Sequence, residues 1–139
     1  MAVKISELMS KRVITATPHQ KVGHLRDMMQ RNRIHALPVV GPNGEALGIV
    51  TTTDLARRVK DESPVSRLMS SNVTVVPAYN DASVAARIMR KHKIHHVVVT
   101  HEKKVVGIIS SFDLLKLVEG KRFVAKNAPT SSKHKRQAK

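Results

Sequence analysis

Two carboxylates recur in this 139-residue chain with the same hydroxyl three residues before them. Thr51 precedes Asp54, and Ser110 precedes Asp113. An ionised carboxylate held rigidly can accept from both hydroxyls of a ribose at once. The hydroxyl three residues earlier can donate to a phosphate oxygen, and free N–H groups at a helix start favour the same anion. Ile49 and Ile108, on the apolar side of each pair, can flank an adenine. The bland reading is that Thr/Ser-x-x-Asp is a helix cap. Both roles can coexist.

Other chemistries find little support. The chain has no cysteine, which excludes disulfides, thiol catalysis and Cys-based metal centres. His92-Lys93-Ile94-His95-His96 invites a metal reading, but the chain turns near Ile94, so His92 and His96 need not share a face. Phosphate or surface contact suits these imidazoles better. Mg²⁺ is expected only as a companion of bound ATP. No nucleophile elbow, P-loop or zinc-protease motif is present, and Asp54 and Asp113 read as two separate sites, so no enzyme activity is expected. Three aromatic residues are too few for stacking on RNA bases. No apolar run could span a bilayer, and no apolar signal segment follows the first residues, so a cytoplasmic protein without a membrane role is expected.

The elements that must position these residues form one unit written twice. Ile5-Ser6-Glu7-Leu8-Met9-Ser10 returns as Val65-Ser66-Arg67-Leu68-Met69-Ser70. Val22, Leu25, Met29 and Ile34 return as Ala82, Ala85, Met89 and Ile94. Gly48-Ile49-Val50-Thr51 returns as Gly107-Ile108-Ile109-Ser110. The offset is 60 residues at first, 59 where Pro18 meets Pro77, and 59 at the glycines. Each copy reads as mixed α/β. A short helix (Ile5–Met9) leads to a strand (Val13–Ala16), then to an amphipathic helix (Lys21–Asn32) with Val22, Leu25, Met28 and Met29 on one face. Ala36–Val40 and Leu47–Val50 flank the turn Gly41-Pro42-Asn43-Gly44 as a hairpin, and a closing helix starts around Thr52–Asp54. A unit of about 60 residues buries too little surface to be robust alone, so two copies packed about a pseudo-twofold axis are expected. The copies span 1–60 and 61–120.

Over these 120 residues the chain resembles a tandem pair of cystathionine-β-synthase (CBS) domains, a Bateman module. The resemblance rests on Gly48…Thr51…Asp54 and Gly107…Ser110…Asp113, the opening Leu-Met pairs, the prolines before the long helices, and Ile34-His35-Ala36-Leu37-Pro38-Val39-Val40. It implies a stand-alone, non-catalytic regulatory module. Such a module binds AMP, ADP or ATP, less often S-adenosylmethionine, in clefts between the repeats. It needs no cofactor and signals to an unidentified protein partner. It also implies a homodimer formed through the amphipathic helices. By the same resemblance the Asp113 cleft draws on Lys11, Arg12, Val13, Ile34 and His35, with His96 facing phosphates. The Asp54 cleft draws on Asn72, Val73, Ile94 and His95. The first is more cationic, and should prefer the more highly phosphorylated ligand.

The formal charge is +15, distributed as +6 over 1–60, +2 over 61–120 and +7 over 121–139. The last segment is rich in Lys, Arg, Ser and Ala, without an apolar period. It reads as a disordered basic tail. An alternative role follows from it, a tether to nucleic acid or ribosome with little sequence specificity.

Overall fold

The computed structural model describes residues 2–122. The basic tail, from residue 123 on, lies outside the described residues. The first copy contains α1 (Ile5–Leu8), α2 (Val22–Asn32), β1 (Ala36–Val40), β2 (Ala46–Thr51) and α3 (Thr52–Leu55). The second opens with a 3₁₀ turn (Val65–Arg67) in place of a helix. It continues with β3 (Val75–Pro77), α4 (Ala82–His92), β4 (His96–His101), β5 (Lys104–Ser110) and α5 (Ser111–Leu114), ending in a second 3₁₀ turn (Leu115–Leu117). The fold is mixed α/β, built from two repeats.

Each long helix buries the face its spacing marked out. Val22, Leu25 and Met29 of α2 are buried, as are Ala82, Ala85 and Met89 of α4. The hairpins lie against those faces. β1 and β4 read as continuous apolar runs because Leu37, Val39, Val97, Val98 and Val99 are all fully buried.

The expected strand Val13–Ala16 is a correction. In the second copy β3 runs parallel to β4, with Val98 N donating to Thr74 O and Ala78 N to Thr100 O. The equivalents of Val98 and Ala78 are Pro38 and Pro18, which have no N–H to donate. Only the bridge between Ala16 and Val39 survives, through Ala16 N to Pro38 O at 3.0 Å and Val40 N to Ala16 O at 2.8 Å. The same bonds show that Pro18 corresponds to Ala78 and not to Pro77. Ser66 N donates to Pro18 O as Ser6 N donates to Ala78 O. The offset therefore stays at 60 there. The slip of one residue falls between the hairpin strands, where Val40 faces Ala46 but Thr100 faces Val105.

The opening segments are exchanged. Ile5 and Leu8 of α1 belong to the core of the second copy, with Val76, Ala85, Met89, Val97 and Ile109. Val65 and Leu68 belong to the core of the first, with Val22, Leu25, Leu37 and Val50. Short antiparallel bridges seal the exchange, Ser10 with Ile108 and Ser70 with Ile49. Burying a side chain such as Ile5 or Leu8 contributes about 1.5–3 kcal/mol. Each core thus takes a large part of its stability from the other copy's opening turn.

Candidate functional site

β2 and β5 run directly into α3 and α5, and the two duplicated motifs sit at these junctions. Thr51 and Ser110 are extended and act as N-caps. Asp54 N donates to Thr51 Oγ1 at 3.3 Å, and Thr51 N donates to Asp54 Oδ2 at 2.9 Å. In the second copy the matching distances are 3.1 and 2.9 Å. Capping therefore engages one oxygen of each carboxylate and leaves Oδ1 directed elsewhere.

The two carboxylates then differ. Asp113 Oδ1 lies 3.6 Å from Lys116 Nζ, which also donates to Leu8 O at 3.0 Å. No such cation stands beside Asp54 Oδ1 among the described residues. The hydroxyls differ as well. Thr51 Oγ1 lies 3.1 Å from Asp54 Oδ2, so its proton is directed at the carboxylate. A phosphate would have to compete for it.

The expectation of several free N–H groups at these helix starts is corrected. Thr52 N donates to His35 O and Ser111 N to His95 O, at 3.0 and 2.9 Å. With Asp54 N and Asp113 N capped as well, the four-residue helices offer few donors to an anion.

These bonds bring a histidine to each motif. α2 and α4 end in left-handed residues, Arg33 (φ 54°) and Lys93 (φ 55°), with Ile34 N reaching Met29 O and Ile94 N reaching Met89 O. This is the Schellman closure, here without its usual glycine. It throws Ile34-His35 and Ile94-His95 towards the junctions. His95 Nδ1 comes within 3.3 Å of Ser111 Oγ.

Two cavities result. The Asp54 cavity measures about 540 Å³. Ile49, Thr51 and Asp54 come from the first copy, and Asn72, Val73, Ile94 and His95 from the second. The Asp113 cavity measures about 670 Å³. Ile108, Ser110 and Asp113 come from the second copy, and Arg12, Val13, Ile34 and His35 from the first. Both lie in the size range of small-molecule sites. Lys11 does not line the Asp113 cavity; Arg33 does. His96, expected in the Asp113 cavity alone, lines both. Burial, then the neighbouring His95 and His35, lower its pKa from the ordinary histidine value, and Asp113 partly opposes them.

The sequence did not single out Arg33, Phe112 or Thr74 for these walls, and pointed His92 to phosphate or surface contact without assigning it to a cleft; His92 lines the Asp54 cavity. Arg33 reaches the cavity because of its left-handed backbone, for which the sequence carries no glycine signal. Phe112 is 77% exposed yet lines the Asp113 cavity. Among the described residues no group of three His, Asp or Glu side chains is placed to hold a metal ion. No described helix is long and apolar enough to cross a membrane.

The model of the CBS domain matches twice, over residues 5–61 and 65–120. The CBS domain pair of protein MJ0100, solved in complex with 5′-methylthioadenosine and S-adenosyl-L-methionine, superposes with a TM-score of 0.80. It is 27% identical, over 88% of this chain and 100% of that one. The uncharacterized protein MJ1404 of Methanocaldococcus jannaschii is 29% identical over 83% of this chain and 32% of its own length. Inosine-5′-monophosphate dehydrogenase of Streptococcus pyogenes serotype M3 is 32% identical over 74% of this chain and 22% of its own length. The chain thus spans about a third or less of these two curated relatives.

Proposed function

The chain belongs to the CBS domain family, as a tandem pair, and from that premise we propose that it is a non-catalytic sensor of adenosyl ligands, AMP, ADP or ATP above all. One observation carries this reading. Each duplicated carboxylate is fixed by its cap through Oδ2 and stands in a cavity whose facing wall comes from the other repeat; Asp54 keeps its Oδ1 clear of cations among the described residues, while Asp113 shares its Oδ1 with Lys116. A ribose diol can bind the fixed carboxylate, while Ile49 or Ile108 offers an apolar surface to the base. The relative that holds S-adenosyl-L-methionine and 5′-methylthioadenosine supports the ligand class.

Because each cavity has walls from both repeats, a ligand would fix their relative position. It would shift the population towards the arrangement it fits best, and a partner protein would read the altered surface. The Asp113 cavity, with Arg12 and Arg33, suits the more phosphorylated ligand. The Asp54 cavity has imidazoles but no Lys or Arg in its lining, and suits a less charged one.

The test is titration calorimetry with AMP, ADP, ATP, S-adenosylmethionine and GTP, on the full chain and on Asp54→Ala and Asp113→Ala. Each substitution should abolish one of two adenosyl-specific binding events and leave the protein folded. Undiminished binding in the double variant would remove both carboxylates from the site.

A further inference from the structure

The two cavities share three lining residues, His35, His95 and His96. His35 and His95 are equivalent positions of the repeat, each carried out of a long helix by a left-handed residue. His96 has no counterpart, because the first copy has Ala36 there. The two cavities therefore have a wall of imidazoles in common, while Asp54 lines only one of them and Asp113 only the other.

We propose that this wall is a shared anion-binding surface, which takes up protons from solvent when phosphate-bearing ligands enter and so couples occupancy of the two cavities. The inference rests on the adenosyl-ligand reading above and adds its regulation. It is argued from what faces the wall. Asp113, on α5, is the carboxylate that acts on His96. Asp54, at the start of α3, lines the first cavity with His92 from the end of α4. Arg12 and Arg33 line the second cavity. None of the three shared imidazoles is in an ion pair with a carboxylate among the described residues. Burial and the neighbouring His95 and His35 disfavour the charged form of His96. A phosphate in either cavity reverses that balance by favouring imidazolium. Protons drawn in by the first anion then face the other cavity as well. At low pH the second anion meets a cationic wall. At high pH it meets a neutral wall with an anion behind it.

Calorimetry of AMP and of adenosine near pH 6 and near pH 8, in two buffers of different ionisation enthalpy, tests this on the full chain. The phosphate of AMP titrates in the same range, at about pH 6. That contribution persists in a His35→Gln/His95→Gln/His96→Gln variant, so the difference between the two proteins isolates the wall. The expected result is a gain in AMP affinity, as pH falls, of about tenfold per pH unit for each proton taken up by the wall. It should come with buffer-dependent heats that the variant lacks, and adenosine should show neither. Should the triple variant fail to fold, His96→Gln alone should reduce the proton uptake. The same AMP pH dependence in wild type and variant overturns the shared wall and leaves the sensor reading standing. If neither adenosine nor AMP binds at either pH, the reading itself falls, and the wall with it.

Discussion

Met69 occupies the space that a side chain on Gly48 would need. A Cβ built on Gly48 would stand 2.7 Å from Met69 Sδ and 2.8 Å from Ser70 O. The exchange makes the same arrangement on the other side, where a Cβ on Gly107 would stand 2.8 Å from Met9 Sδ and 2.7 Å from Ser10 O. The glycine of each duplicated motif therefore serves packing between copies. It admits the other copy's opening segment to the strand that leads into the site.

Gly48→Ala and Gly107→Ala should each destabilise the protein by about 1–3 kcal/mol, the usual cost of overpacking. Methionine can yield, but the backbone carbonyls of Ser70 and Ser10 are fixed by their bridges. Calorimetric melting should show a loss of several degrees for either variant. Unchanged melting would mean that the opening segments can shift without loss.

Ser110→Ala removes the cap of α5 and the acceptor for Asp113 N. A loss of about 1 kcal/mol is expected in urea unfolding. The same change should weaken ligand binding in the Asp113 cavity more than in the Asp54 cavity, because Asp113 N loses its acceptor and the helix start that carries the carboxylate is held only by Ser110 N donating to Asp113 Oδ2. Equal weakening in both cavities would count against a local effect.

Glu102 and Lys103 form the two-residue turn of the second hairpin, with φ of 51° and 67°. Two adjacent left-handed residues without Asn or Gly are unfavourable in a turn of this shape. Replacing them by Asn-Gly should raise stability by up to about 1 kcal/mol and leave ligand affinity unchanged. Thermal melting with and without AMP measures both.

The depressed pKa of His96 gives a signed dependence on pH. The unfolded chain binds the proton more readily than the folded one, so this contribution is fully present above the unfolded value. It is lost as pH falls from there through the folded value. In the absence of ligand, the wild type should lose stability on acidification below about pH 6.5 faster than His96→Gln does. Parallel pH–stability curves would show that His96 is not the group responsible.

Both long helices and both hairpins were legible in the sequence, because period, turn residues and repetition agreed. The strand at Val13–Ala16 was not. Its apolar residues promised a ladder that Pro18 and Pro38 cannot complete, and only the partner strand's identity reveals this. The two carboxylates were visible because they recur at one spacing. Arg33 and the double-sided placement of His96 were hidden, since they follow from the backbone turn after each long helix and from how the copies meet. The exchange of opening segments was hidden too. The segment Ile5–Ser10 looks alike to either core, and the bonds to Ala78, Asn80 and Ile108 decide which one it joins.

That exchange makes the segment up to Ser10 a mechanical part of the second repeat. Lys116 fastens the same segment from the other side, with one hand on Leu8 and the other near Asp113. A displacement of residues 3–10 would therefore reach the second core, the strand leading to Ser110 and, through Lys116, the Asp113 carboxylate. A ligand in the cavity that Ser10, Arg12 and Val13 help to line would bear on the same segment, so the placing of residues 3–10 and the occupancy of that cavity are two readings of the same dial.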